Sequence, residues 1–286
     1  MLLALTPLGV GATVAPEVAL VGVPWVSGPC ADPRLPALAG EWLVGCGALR
    51  ADRAQNLRTG ERVTLRHAVE QVALGPGVVY GAPGLWVLDE GGVLQGQVLK
   101  MREGVLATDG ETAVASTRDD LQVGALADNR REHLLPAPAP WYRPAVAGGH
   151  VAWVSRGEDI WYRGPGEQPR ALADSAGAER HVALSSSHVA WVEDDAVVLM
   201  ALPDGPLMRL PADAHTARGL SLDGDVVCWE QWNGVDVDVA CSDGVAIQRP
   251  GHQRNPSRFG PWLTVVEEGH ALLLHLPSAE GDTLQP

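Results

Sequence analysis

The sequence predicts an all-β protein, a β-propeller built of four-stranded antiparallel blades, and three observations carry that prediction. First, one phrase is spoken three times: Pro144-Ala-Val-Ala-Gly-Gly-His-Val-Ala-Trp-Val-Ser, His181-Val-Ala-Leu-Ser-Ser-Ser-His-Val-Ala-Trp-Val-Glu and Gly219-Leu-Ser-Leu-Asp-Gly-Asp-Val-Val-Cys-Trp-Glu. Second, the phrase extends in both directions at a near-constant period, which is the signature of a repeat architecture. Third, no long segment carries the 3.6-residue apolar period of a helix.

Taking the first residue of each bulky second strand as an anchor gives Trp42, Val78, Thr112, Val151, Val189, Val226 and Trp262, spaced 36, 34, 39, 38, 37 and 36 residues apart. Seven units is therefore the expected count, with six or eight as alternatives because the two ends are the least regular. Within a unit the first strand is short and rich in Ala, Val, Gly and Ser. The second and third are bulkier, with Trp153, Ile160, Trp161, Trp191 and Trp229, and the fourth is more polar. That gradient suits a wedge, with small residues at a crowded axis and aromatic ones packed between neighbouring sheets. The first turn of the unit carries Asp109-Gly110, Gly148-Gly149 or Asp223-Gly224, pairs that accept the positive φ angles of two-residue hairpins. Residues 1–37 hold strand-like runs, Leu2–Thr6 and Glu17–Val26, without a complete unit. Because a propeller must join its last blade to its first or expose an edge, part of this segment is expected to pair with the C-terminal unit, 256–286. The whole chain, 1–286, reads as one domain.

The start Arg-Pro or Asn-Pro, then small residues, Gly, and Val-x-Trp followed by an acid, resembles the TolB-type propeller repeat. Arg143-Pro144 through Tyr162, Arg218 through Val239 and Asn255-Pro256 through Glu267 carry the resemblance, which is strongest over 141–267. The first three units lack the Trp-acid signature. What the resemblance implies is a blade, and a propeller that serves as a binding or docking module.

Composition narrows the functional classes. Of 286 residues 46% are hydrophobic, enough for a substantial core, and the 33 Gly and 22 Pro fall between apolar runs as punctuation. A formal charge of −14 argues against nucleic acid and anionic membrane surfaces as partners. No apolar run reaches transmembrane length, so membrane insertion is not expected. The start Met1-Leu-Leu-Ala-Leu lacks a basic n-region, which favours a soluble, cytoplasmic protein. Cys30, Cys46, Cys228 and Cys241 form no C-x-x-C pair, so structural zinc is not expected. Cys228 and Cys241 flank the Asn233-Gly234 turn almost symmetrically and could form a cross-strand disulfide, which would imply a periplasmic or secreted setting; two buried thiols fit equally well.

One pattern of polar residues stands out. Eight residues before five anchors, where the innermost strand begins, stand Arg34, Arg143, His181, Arg218 and Arg254. In a propeller this position lies at one mouth of the central channel. Trp141 and Tyr142 adjoin one of these residues and Trp232 lies in a loop expected on the same face, so the group is a candidate site for a carboxylate, a phosphate or an acidic peptide. The structural alternative is that Glu193, Glu230 and Glu267 end their strands at the same mouth, and that Arg218 pairs with Glu230 and Arg254 with Glu267. His150 and His188 occupy equivalent hairpin turns and read as turn residues. No nucleophile elbow, phosphate loop, metalloprotease helix or dinucleotide fingerprint is present, and no metal or cofactor is expected. The sequence thus favours a non-catalytic binding or scaffolding module with protein partners, with a propeller hydrolase or lyase acting on an anionic substrate as the first alternative and a glycan or small-ligand binder as the second.

Overall fold

The computed structural model describes residues 19–21, 37–39, 41–46, 52–64, 69–72, 78–81, 84–88, 94–99, 105–117, 119–125, 131–139, 142–173, 177–194, 196–212, 219–267 and 270–276. Its strands fall into four-stranded antiparallel sheets, seven among the described residues, and the expected count of seven blades is corrected to six, because one of these sheets is not built from a single stretch of chain. Six sheets are blades cut each from one continuous stretch of chain, with their strands in simple chain order. They span residues 37–64, 69–99, 105–134, 145–173, 179–211 and 220–247 and are numbered here blades 1 to 6.

The last repeat is not such a blade. It supplies only three strands, Gln253–Phe259, Trp262–Glu267 and His270–His275, and the fourth place is taken by Ala19–Val21 from the other end of the chain. Ala19 lies opposite His275 and Val21 opposite Leu273. The closing sheet is therefore a composite, and its outer strand covers an edge that three strands alone would leave open.

The second strands explain why the phrase Val-Ala-Trp-Val recurs. Side chains alternate across a strand, so one face of each blade meets the blade before it and the other the blade after it. Val151 and Trp153 pack with Ala107, Val114 and Val123 of blade 3, whereas Ala152 and Val154 pack with Val182, Val189 and Trp191 of blade 5. The next copy repeats this rule, for Ala190 meets Val227 and Trp229 of blade 6. The first and third residues of Val-Ala-Trp-Val point backward round the ring and the second and fourth forward. Trp153 and Trp161, directly opposite on adjacent strands, stack at 6.3 Å between ring centres. Of the blade-period Trp residues expected between sheets, Trp153, Trp191 and Trp229 are buried, and Trp161 is half-buried against the same cluster as Trp153.

Cys228 and Cys241 face each other in register across the second hairpin of blade 6 and are joined by a disulfide. Both are buried in the cluster that packs blade 6 against Leu263, Val265 and Leu274 of the closing sheet. Leu38 and Leu43 of blade 1 pack against Leu273 of the closing sheet, which joins the two ends of the ring. No helix among the described residues is long and apolar enough to cross a membrane.

Candidate binding site at the axial cavity

First strands of blades 1, 3, 4, 5 and 6 and of the closing sheet surround a cavity of about 530 Å³. That size lies within the range of ordinary ligand sites. The strand registers decide which residues share a level in it. Val151, Val189 and Val227 stand opposite Val146, Leu184 and Leu222, and Leu263 stands opposite Arg258. Counting outward from those pairs, Arg143, His181, Gly219 and Asn255 form one level, and all four line the cavity where the first strands begin. At the other mouth, where the first strands turn back, the shared level is Asp109, Ala147, Ser185, Asp223 and Phe259, again all on the lining. Between the two mouths the wall is mostly apolar, with Val146, Val182 and Leu220.

The register explains what became of the expected basic group. Arg143 and His181 meet at the strand-start mouth as expected. Arg254 does not join them: it is exposed and off the lining, and Asn255 takes the place. The strand carrying Arg254 bulges between Arg254 and Ser257, and its anchor is one residue out of step, since Leu263 rather than Trp262 matches Val189. His181 and Asn255 occupy the same bulge position and share a left-handed backbone, with φ of 46° and 51°. Arg34, Trp141 and Arg218 lie outside the described residues. Trp232 is half-buried, stacks on His252 at 6.4 Å and is absent from the lining.

Around the strand-start mouth, the Tyr142 ring meets His181 edge-on at 5.1 Å. Burial pushes the Tyr142 hydroxyl above its ordinary pKa, the Glu158 carboxylate pushes it the same way, and Arg180 opposes them. Tyr142, Arg143 and His181 each also make a contact within the protein, so an incoming anion would share or exchange an existing interaction.

The acids that close the second strands have partners, and for Glu267 it is not the expected Arg254. Glu193 binds Arg209 at 2.5 Å, and Glu267 binds Arg249 at 2.9 Å in place of Arg254. Glu230 is buried and accepts the backbone N–H of Asn255 at 2.8 Å. A Cβ at position 219 would stand 3.2 Å from the Glu230 carboxylate of the same blade and 3.5 Å from Pro256 of the closing sheet, so glycine there leaves room for the carboxylate between the two sheets.

The hairpin mouth is stitched from blade to blade. Asp109 accepts the backbone N–H of Gly149 at 2.8 Å, Ser185 donates to the Gly224 carbonyl at 2.6 Å, and Asp223 accepts the Gly260 N–H at 2.6 Å. His150 and His188 sit beside these turns as expected: His150 is in contact with the Tyr162 hydroxyl at 2.6 Å and His188 with the Ser187 hydroxyl at 2.9 Å. Sequence reasoning missed the roles of Asp109, Asp223, Asn255 and Phe259. The two Asp-Gly pairs were legible as turns; that they ring one mouth was not.

No family model matches the chain, and no curated protein matches it. Solved structures do match in shape. A catalytically inactive variant of virginiamycin B lyase from Staphylococcus aureus, solved with quinupristin, is 9% identical, with 91% of this chain and 99% of that one covered at a TM-score of 0.59. The Cps50 (Swd1) β-propeller domain of Myceliophteria thermophila is 10% identical, covering 90% of this chain and 98% of that one at 0.61. YCF48 bound to D1 peptide is 12% identical, covering 93% and 97% at 0.57. The fold is a β-propeller. Identities this low establish the fold and nothing finer, since one propeller frame carries both an enzyme and a protein bound to a peptide. The TolB-type resemblance stays at the level of the blade motif.

Proposed function

We propose that this propeller is a non-catalytic binding module of a protein assembly that receives an anionic group, such as an acidic peptide side chain, at the strand-start mouth of its axial cavity. The observation that carries the reading is the shared level of Arg143 and His181 on the lining of a ligand-sized cavity. Tyr142, off the lining itself, packs edge-on against His181 and holds that ring in place. An Arg guanidinium and an imidazolium can both donate to a carboxylate, and the apolar wall below them limits competition from water. A formal charge of −14 over the whole chain makes this mouth a local exception, which favours a specific anionic group over general binding to polyanions such as nucleic acid. The Cys228–Cys241 bond supports an oxidising compartment as the working environment, contrary to the cytoplasmic expectation.

The experiment is isothermal titration of an acidic peptide, acetyl-Ala-Ala-Ala-Ala-Asp amide, into the wild type and an Arg143→Gln, His181→Gln variant. Loss of about tenfold in affinity in a variant that unfolds at an unchanged temperature supports the reading. Equal affinity for the two proteins rejects it.

A further inference from the structure

The other mouth of the cavity has the opposite chemistry. Two of the five residues on its level are carboxylates, Asp109 and Asp223, and a third is Phe259, the single phenylalanine of the chain. Phe259 is 37% exposed although it is a large apolar side chain on a cavity rim. The carboxylates have a structural duty, but not the same one. Asp109 accepts the N–H groups of Glu111 and Thr112 as well as that of Gly149, so its oxygens are largely engaged. Among the described residues Asp223 accepts only from Gly260, through Oδ2, which leaves Oδ1 able to accept a further donor. A carboxylate with an open oxygen beside an exposed aromatic ring is the arrangement that attracts an ammonium or guanidinium group, by charge and by the ring face together.

We propose that the hairpin mouth holds a cationic side chain, so that the occupant of the cavity is an extended peptide segment with a basic residue at one end and an acidic residue at the other. The basic half of this statement stands on the hairpin mouth alone; the acidic half rests on the reading of Arg143 and His181 given above. Geometry sets the spacing. From Arg143 to Ala147, or from His181 to Ser185, is four residues along a strand, a span of about 13 Å at roughly 3.3 Å per residue. An extended peptide running beside those strands covers the same distance in the same number of residues, so the two charges belong four positions apart. The apolar wall between the mouths calls for small uncharged residues in the middle.

The test uses three peptides: acetyl-Lys-Ala-Ala-Ala-Asp amide, and the two analogues in which Ala replaces Lys or replaces Asp. Their affinities are measured by calorimetry against the intact wild-type protein, Phe259→Ala, Asp223→Asn, and the Arg143→Gln, His181→Gln variant. Replacing the peptide Lys should weaken wild-type binding about fivefold, and that factor should shrink toward one in Phe259→Ala and in Asp223→Asn, whose amide oxygen can still accept from Gly260. Binding that ignores the peptide Lys, a Lys effect that persists in both variants, or no binding of the charged peptide at all, overturns the proposal. Failure of the anion reading looks different: the Arg143→Gln, His181→Gln variant would then keep the wild-type response to the peptide Asp while the response to Lys is unchanged.

Discussion

Asp223 Oδ2 accepts a 2.6 Å hydrogen bond from the backbone N–H of Gly260, so the first hairpin of blade 6 is fastened to the first hairpin of the closing sheet. Gly260 has φ of 54°, a left-handed turn that glycine adopts without strain. The bond therefore fixes both the relative height of two sheets and the rim of the cavity.

Removing it should be measurable. Asp223→Ala is expected to lower stability by about 0.5 kcal/mol, since an exposed hydrogen bond is lost and its donor is left to water, and Asp223→Asn by less. Urea unfolding followed by tryptophan fluorescence distinguishes the two; equal stability of Asp223→Ala and wild type would show that the turn contact contributes nothing.

Two buried tryptophans should answer differently to the same change. Trp153 Nε1 donates to the Pro136 carbonyl at 3.1 Å, whereas the buried Trp191 Nε1 meets no acceptor among the described residues. Trp153→Phe loses volume and a hydrogen bond; Trp191→Phe loses volume but removes an unpaired donor. The first is expected to cost about 1 kcal/mol more than the second in parallel denaturant titrations. Trp191→Ala, which empties the interface of blades 4 and 5, is expected to cost about 3–5 kcal/mol.

The disulfide links residues 13 apart in sequence. Constraining a loop of that length in the unfolded chain stabilises the fold by about 3 kcal/mol in the chain-entropy account. A Cys228→Ala, Cys241→Ala protein should therefore unfold at clearly lower urea concentration than the oxidised wild type. Mass spectrometry of the non-reduced protein should find the two residues in one linked peptide pair; free thiols at both positions would contradict the assignment.

Asp120 supplies a pH-dependent contribution. Desolvation acts to raise its pKa, but hydrogen bonds from Gln122 and His133, the charge of His133 and a backbone N–H together outweigh it, and the pKa falls below the ordinary 3.8. A carboxyl depressed in the folded state stabilises the fold above its unfolded pKa. That contribution fades as pH drops below 3.8 and through the lower folded value. Carbon-detected NMR titration should show the Asp120 midpoint moving upward in His133→Ala, where the 2.9 Å contact is gone. An unmoved midpoint would mean that His133 does not act on Asp120.

The fold was legible because blade formation is a local matter. Trp153, Trp191 and Trp229 alternate with small residues in strands preceded by Gly-Gly, Ser-Ser-Ser and Asp-Gly turns, and both signals lie within about ten residues of each other. The expected place of His150 and His188 in equivalent turns was legible for the same reason. The makeup of the site was legible only in part. A fixed count back from an anchor puts Arg143 and His181 on the cavity lining but not Arg254, because the anchor Trp262 stands one residue ahead of Leu263, the residue that matches Val189. The expected Arg254–Glu267 pair failed on the same slip, and Arg249 holds that carboxylate instead.

By itself, the sequence determined the strand pattern, the repeat, the turn chemistry and the inward packing of the aromatic residues, all of which follow from alternation along a strand and from backbone preferences over a few residues. Only the tertiary structure decided that the last repeat borrows Ala19–Val21 to complete its sheet, that Cys228 and Cys241 are joined, and that Arg143 with His181 and Asp223 with Phe259 stand at opposite mouths of one cavity. These are relations between distant parts of the chain, set by how sheets close into a ring and by the register within each sheet, and no local residue pattern encodes them.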